Sequence, residues 1–150
     1  MSVDPRGQRF AAAVTTAVLA LVLVTGSIWV LAFQAVVFAI AVVAGVRRSP
    51  YALAFARLVR PRIGPPPHTE AAAPPRFAQA VGLLFAVVGL VGFALGITAL
   101  ALTATALALV AAFLNAAFGL CLGCEIYLLI RRTFPIRKRN RAATPTEVST

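Results

Sequence analysis

The chain has 150 residues, of which 61% are hydrophobic and 12% are charged, and its formal net charge is +10. Soluble domains contain about 45–50% apolar and about 25% charged residues, so this composition excludes an ordinary water-soluble fold and favours a membrane protein in contact with lipid. Nucleic-acid binding is not expected, because the basic residues flank apolar blocks and do not alternate with aromatic residues.

Two long blocks, Phe10–Val46 and Phe77–Cys124, contain no charged residue. A helix needs about 20 apolar residues to cross the hydrocarbon core, so each block is too long for one membrane span and suits two. Gly26 and Ser27 form the only turn signal inside the first block. The sequence therefore predicts an all-α integral membrane protein with four transmembrane helices, at about 9–25, 28–46, 77–97 and 100–120.

The segment after the second span predicts a short helix in the membrane interface. Tyr51, Phe55 and Leu58 fall on one helical face, whereas the arginines of this segment fall on another. Residues 61–75 are rich in proline and predict an extended linker.

The fourth apolar segment predicts a break near Gly119–Gly123. A single helix over 101–130 would be about 45 Å long, which exceeds the thickness of the hydrocarbon core. A second short interfacial helix is therefore expected after the fourth span, and it completes a membrane domain over residues 1–132. The remaining residues, 133–150, are basic and then polar, and they predict a disordered tail.

The two halves of the chain resemble each other. Arg-Phe-Ala opens each half, at residues 9–11 and 76–78, and a Gly, Arg and Pro recur at a constant offset near the end of each half. Because each half holds two spans, the halves are predicted to be parallel repeats, related by an axis along the membrane normal.

The positions of the basic residues predict the orientation. All fourteen Lys and Arg residues lie before the first span, between the second and third, or after the fourth. The positive-inside rule then predicts a multi-pass protein of the inner (plasma) membrane with both termini and the central loop in the cytoplasm.

The only two cysteines, Cys121 and Cys124, form a C-x-x-C motif that is predicted to lie at the cytoplasmic interface. Two sulfurs at this spacing can form a disulfide, exchange thiols or bind a soft metal such as copper or mercury. Glu125 follows directly and is a candidate proton carrier. The candidate catalytic residues are therefore Cys121, Cys124 and Glu125. In one alternative the two cysteines are metal ligands. In another they are inert and the protein is a structural subunit.

The other polar residues in the apolar blocks favour structural roles. Gln34 and Asn115 are expected to form hydrogen bonds between helices, with the lining of a cavity as the alternative, and His68 is expected to be a solvated residue of the linker. Gly92 and Gly96 form a G-x-x-x-G pair, which favours close helix packing and allows a homodimer. No phosphate-binding glycine loop, Ser/His/Asp set or haem-binding histidine pair occurs, so the sequence leaves any cofactor unknown.

Residues 3–14, VDPRGQRFAAAV, and 113–130, FLNAAFGLCLGCEIYLLI, resemble the bacterial domain-of-unknown-function 4395 family. The resemblance covers about 3–132, and FGLCLGCE is its most specific part. It implies a bacterial inner-membrane protein of unassigned activity. It also implies a link to thioredoxin-like and sulfurtransferase proteins, whose genes lie beside those of family members.

The leading hypothesis is a membrane thiol protein that exchanges electrons or persulfide sulfur with a thioredoxin-like or sulfurtransferase partner. Quinone-coupled disulfide exchange is a second reading. Against it, membrane oxidases with a C-x-x-C act on the oxidising face of the membrane and use a second cysteine pair, which this chain lacks.

Overall fold

The computed structural model describes residues 2–134, which form a bundle of helices with one pair of short strands. Of the predicted disordered tail, 135–150 lie outside the described residues. The elements, in chain order, are β1 (Ser2–Val3), α1 (Pro5–Thr25), α2 (Ile28–Val43), a 3₁₀ turn (Val46–Arg48), α3 (Pro50–Ala54), a π-helical turn (Phe55–Val59), α4 (Arg60–Ile63), β2 (Glu70–Ala71), α5 (Ala73–Ala94), α6 (Thr98–Phe118) and α7 (Leu122–Thr133).

Three of these helices, α1, α5 and α6, are long and apolar enough to cross a membrane. The apolar helix α2 has only 16 residues, which corresponds to about 24 Å. The helix α2 ends at Val43, before the predicted end of the second span near residue 46, because Gly45 adopts a φ of 98° that leaves the helical region. Large apolar side chains are exposed on the helices, including Val24 at 85% and Trp29 at 82%. This outer surface favours association with a lipid bilayer.

The predicted linker, 61–75, is shorter in the structure because helices enter it from both ends. α4 continues to Ile63, and α5 begins at Ala73, ahead of the predicted start at residue 77. Pro74 and Pro75 lie in the first turn of α5, where the missing N–H of proline is tolerated. Inside the linker, β2 pairs antiparallel with β1, which ties the start of the described chain to the start of α5.

The predicted break in the last apolar segment is confirmed. α6 ends at Phe118, and Gly119 follows with a φ of 68° while its N–H donates to the carbonyl of Asn115 at 3.0 Å. Glycine adopts this left-handed conformation without steric cost, so it ends the helix. Helix α7 then begins as a separate element and packs on α5.

The two halves of the described chain begin with the same elements, a short strand and two apolar helices, but four short helical segments follow in the first half and α7 alone follows in the second. Each half has two apolar helices, and a glycine with positive φ follows each helix: Gly26 at 63°, Gly45 at 98°, Gly96 at 72° and Gly119 at 68°. A short helical segment ends each half. The halves interlock, because α1 makes its largest contact with α6 and α2 makes its largest contact with α5.

Two arginines form reciprocal contacts between the halves. Arg9 in α1 donates to the carbonyls of Ala116 and Ala117, both at 3.3 Å. Arg76 in α5 donates through Nε to the carbonyl of Val42 at 2.6 Å. The last carbonyls of a helix lack intrahelical partners and form the negative end of its dipole. Each arginine therefore stabilises the end of the second apolar helix of the other half.

Small residues on α5 allow the helices to approach closely. A Cβ added at Gly92 would lie 2.7 Å from the backbone nitrogen of Ala101 in α6, and one at Gly89 would lie 2.9 Å from Cδ2 of Leu31. The prediction that Gly92 and Gly96 form a packing pair is wrong for Gly96, which is exposed in the turn before α6. Because Gly92 is buried inside its own chain, this pair offers no continuous face to a second copy.

A buried chain of hydrogen bonds connects α1, α2 and α3 in the first half. Gln34 is completely buried, and its Oε1 accepts a hydrogen bond from the Tyr51 hydroxyl at 2.8 Å. Its Nε2 lies 3.5 Å from the hydroxyl oxygen of Thr15 in α1. The expected interhelical role of Gln34 is therefore confirmed. Burial also raises the pKa of the Tyr51 phenol, so this group stays protonated and remains a donor.

Replacing Gln34 with leucine is expected to lower the free energy of unfolding by about 1–3 kcal/mol, because the Tyr51 hydroxyl would remain buried without its acceptor. Thermal unfolding in detergent would measure this change for Gln34→Leu, for Tyr51→Phe and for the double variant. We expect the double variant to lose less than the sum of the single losses. Strictly additive losses would contradict this coupling.

Candidate functional site

The Cys-Leu-Gly-Cys segment, 121–124, forms the beginning of α7. Cys121 is the N-cap residue, and its sulfur accepts a hydrogen bond from the backbone N–H of Cys124 at 3.4 Å. The first N–H groups of a helix lack intrahelical acceptors and form the positive end of its dipole. A thiolate at Cys121 would be stabilised by both effects, which are the effects that make cysteines reactive near neutral pH.

The structure joins Cys121 and Cys124 as a disulfide, with their Cα atoms 5.2 Å apart. The Cα atoms of a disulfide are usually about 4.4–6.8 Å apart. Both residues are half-buried, so the pair is neither enclosed in the core nor fully exposed. The spacing of the two Cα atoms is therefore compatible with a disulfide at a partly accessible position.

Gly123 holds the motif against α5. A Cβ added at this position would lie 2.6 Å from both Cα and Cβ of Ala78. These distances are shorter than the closest approach of non-bonded carbon atoms, so only glycine permits this contact without a shift of one helix. The contact is supported one turn further along α7, where the rings of Tyr127 and Phe77 have centroids 5.7 Å apart.

Two cavities lie beside the sulfur pair. The larger cavity, about 710 Å³, is lined mainly by apolar residues of α1, α5 and α6 and by the short helices. The smaller cavity, about 330 Å³, is lined by both cysteines and by the charged residues Arg9, Glu70 and Glu125. Four residues line both cavities, namely Gln8, Pro75, Asn115 and Cys121. Charged residues also line the larger cavity, namely Asp4, Arg47 and Arg60, so Cys121 lies on the wall of two cavities, of which the larger is mainly apolar.

Glu125 lies in the first turn of α7 and is exposed. It lines the smaller cavity together with both cysteines, so the structure brings the three predicted site residues together. A carboxylate in the first helical turn interacts favourably with the helix dipole. Its proposed part in proton transfer remains a prediction.

Two residues of the site, Arg9 and Gln8, were not predicted as functional. Arg9 lines the smaller cavity and lies 3.9 Å from the position of a Cβ on Gly119, at the end of α6. Gln8 lines both cavities, and within residues 2–134 its buried Nε2 has no hydrogen-bond acceptor. The only sequence signal was their place in the opening segment of the family resemblance.

The remaining polar residues that the sequence analysis considered, Asn115 and His68, differ in their position relative to the two cavities. Asn115 lines both cavities, which is the alternative to its expected role between helices. His68 is exposed in the segment between α4 and α5, and it lines neither cavity. In the part of the chain that the structure describes, no group of three or more His, Cys, Asp or Glu residues could hold a metal ion.

Comparison with known proteins yields one match. The model of the family described as "Domain of unknown function (DUF4395)" matches residues 3–132, which include every residue that lines the two cavities except Ser2. No curated protein and no solved structure matches the chain.

Proposed function

Because the chain belongs to the DUF4395 family, whose description assigns no activity, we propose its function from the site: thiol–disulfide exchange through Cys121 and Cys124 in a membrane protein. The observation that carries this proposal is the disulfide at the start of α7, with both sulfurs on the wall of a charged cavity. A structural disulfide between residues three positions apart would close a very short loop and add little stability. A reactive role explains the motif better.

The exchange involves two steps in which atoms and electrons balance. A thiolate of the partner attacks one sulfur of the Cys121–Cys124 disulfide, forms a mixed disulfide and releases the other sulfur as a thiolate. The second thiol of the partner then attacks the mixed disulfide. The partner leaves oxidised, and Cys121 and Cys124 remain as a dithiol that has gained two electrons and, from water, two protons.

Cys121 is the sulfur that carries the mixed disulfide in this proposal. It is the N-cap of α7, and the backbone N–H of Cys124 donates to its sulfur at 3.4 Å. When the disulfide opens, the start of α7 and this N–H are placed to stabilise a negative charge on the sulfur of Cys121. Cys124 lies within the first turn and acts as the resolving thiol. Glu125, on the same cavity wall, accepts or donates the proton of Cys124.

In the proposed arrangement, α1, α2, α5 and α6 cross the inner membrane as two parallel repeats, and α3–α4 and α7 lie at the cytoplasmic interface. The common order of elements in the two halves supports the repeats, and the positions of the fourteen Lys and Arg residues support the orientation. A bilayer adapts to a short helix such as α2 by local thinning. With this orientation both termini and the sulfur pair face the cytoplasm.

The partner is a thioredoxin-like protein, since such proteins present a reactive thiol to an exposed disulfide. In the cytosol thiols are kept reduced, so a disulfide on this side is transient and catalytic. The same site admits a sulfurtransferase that delivers persulfide sulfur to Cys121, but the disulfide between the two cysteines favours electron exchange.

The Cys124→Ser variant is expected to accumulate a mixed disulfide between Cys121 and its partner. In this variant Cys121 attacks the disulfide of the oxidised partner, which is the reverse of the exchange above, and the Cys124 thiol that would complete the reverse reaction is missing. Cells that express this variant would be treated with acid and a thiol-blocking reagent, and complexes would be detected by non-reducing electrophoresis. The complex should disappear on reduction and should contain a protein with a C-x-x-C motif.

The matched control is Cys121→Ser, which keeps one cysteine in the same turn but removes the proposed attacking sulfur. We expect this variant to trap at most about a tenth of the complex that Cys124→Ser traps. Equal trapping by both variants would contradict the assignment of Cys121, and trapping by neither would contradict thiol exchange. Thermal unfolding of both variants would establish that each is folded.

A further inference from the structure

The larger cavity has the size and position of a site for a membrane-soluble ligand. Its volume of about 710 Å³ lies within the range of about 300–1,000 Å³ that is usual for small-molecule sites. It extends along α1 from Gly7 to Thr15, and the apolar side chains of Phe38 and Phe85 line its wall. Part of its wall is therefore formed by a helix that is long and apolar enough to cross a membrane.

The polar groups of this cavity include carboxamides that share its wall with Cys121. Gln8, Gln79 and Asn115 line the cavity, and Gln8 and Asn115 also line the smaller one, as Cys121 does. Within the described residues, the buried Nε2 of Gln8 has no acceptor. A buried donor without an acceptor is costly, so a rotation of the Gln8 side chain that brings this donor to a ligand oxygen in the larger cavity would remove the cost. An acyl chain alone has no such oxygen.

The two cysteines differ in their exposure to the cavities. Cys124 lines only the smaller cavity, whereas Cys121 lines both. The proposed protein partner reaches the sulfur pair through the smaller, charged cavity. A second reactant in the larger cavity would meet Cys121 alone among the cysteines. Cys121 is therefore the cysteine that borders both cavities.

We propose that the larger cavity binds an isoprenoid quinone, which oxidises the Cys121–Cys124 dithiol that exchange with the partner leaves behind. This inference rests on the proposed thiol exchange. The quinone has an apolar tail that fits the cavity and a carbonyl oxygen that accepts from Gln8 Nε2. It also supplies an oxidant on the reducing side of the membrane, which a cytoplasmic disulfide requires to form again.

The oxidation step balances without a further reactant. The thiolate of Cys121 adds to the quinone ring, and the sulfur of Cys124 then attacks Cys121 and forms the disulfide. Two electrons pass from the dithiol to the quinone, and the two thiol protons end on its oxygens, so hydroquinone leaves. Gln8 stabilises the negative charge that develops on the quinone oxygen during this step.

The test uses the full-length protein in detergent, reduced and freed of reductant under anaerobic conditions. The probe is a fully ring-substituted benzoquinone with a decyl side chain, which resists uncatalysed addition of thiols. The wild-type protein is expected to reduce one quinone per chain and to lose both free thiols, measured by ultraviolet absorbance and by thiol titration. The Cys121→Ser/Cys124→Ser double variant should reduce none.

A variant that fills the larger cavity tests whether the quinone binds there. Ala111 in α6 lines only the larger cavity, so Ala111→Phe should slow quinone reduction at least tenfold while mixed-disulfide trapping in the Cys124→Ser background continues. Ala13→Phe is the matched control, because Ala13 is exposed on α1 and lines neither cavity. Gln8→Leu should slow quinone reduction by about tenfold, the effect of one lost hydrogen bond.

The outcomes separate this inference from the proposed function. If trapping succeeds but the wild-type dithiol stays reduced in the presence of the quinone, the quinone inference is wrong and thiol exchange stands. If Ala111→Phe is no slower than Ala13→Phe, the ligand does not occupy the larger cavity. A bound phospholipid that the quinone fails to displace, detected by mass spectrometry, would likewise overturn the inference. Loss of trapping in every variant would instead overturn thiol exchange.

Discussion

Replacing Gly123 with alanine is expected to reduce mixed-disulfide formation at least tenfold while most of the fold persists. The added Cβ would lie 2.6 Å from Cα and Cβ of Ala78, and a helix backbone cannot move aside as a flexible side chain can. The start of α7 must therefore shift away from α5, and the sulfur pair would move out of the cavity wall. The yield of trapped complex in a Cys124→Ser/Gly123→Ala variant, relative to Cys124→Ser alone, measures this effect.

Gly7→Ala provides the control for this substitution. Gly7 is also helical, but a Cβ there would meet only the ring of Phe55, at 3.1 Å, and a side chain can adjust by a few tenths of an ångström. We expect this variant to trap nearly as much complex as its parent. Undiminished trapping in the Gly123→Ala variant would show that the contact with Ala78 does not position the motif.

Replacing Gly92 with alanine is expected to lower the free energy of unfolding by about 1–3 kcal/mol, the usual effect of an extra methyl group in a packed interface. Here the Cβ would lie 2.7 Å from the nitrogen and 3.0 Å from Cα of Ala101. Helices α5 and α6 would have to separate, and α5 also packs on α2 and α7. Thermal unfolding in detergent should therefore show a clear fall in Tm.

Two further variants distinguish a backbone contact from simple loss of a glycine. Gly82→Ala, in the same helix, would meet only the ring of Phe38, at 2.9 Å, so its effect on Tm should be smaller. Combining Ala101→Gly with Gly92→Ala should not restore stability, because the nearest atom is the backbone nitrogen of residue 101. Full restoration by Ala101→Gly would contradict this interpretation.

The helices could be predicted from the distribution of charge because lipid exposure imposes a strong compositional signal. The absence of charge over Phe10–Val46 and Phe77–Cys124 predicted the apolar helices, and glycines predicted the turn at Gly26 and the break at Gly119. The sequence did not predict which helices pack together. Apolar faces are chemically alike, so the pairing of α1 with α6 and of α2 with α5 depends on shapes that appear only in the folded chain.

The candidate site could be predicted in part. The lone C-x-x-C indicated Cys121 and Cys124, since no other residues in the chain provide sulfur chemistry of this kind. The cavities could not be predicted, because they form between helices that are distant in sequence. Gly92 was expected to contact another helix together with Gly96, but Gly96 forms the turn instead, since its positive φ suits glycine.

The reciprocal contacts of Arg9 and Arg76 constrain the order in which the chain can mature during synthesis. When the ribosome has produced only the first half, the terminal carbonyls of α2 have no guanidinium to bind, and Arg9 has no helix end to reach. A chain truncated before Arg76 would therefore lack both of these contacts. The two helix ends are completed only after α6 has been synthesised, so each half depends on the other for the end of its second apolar helix.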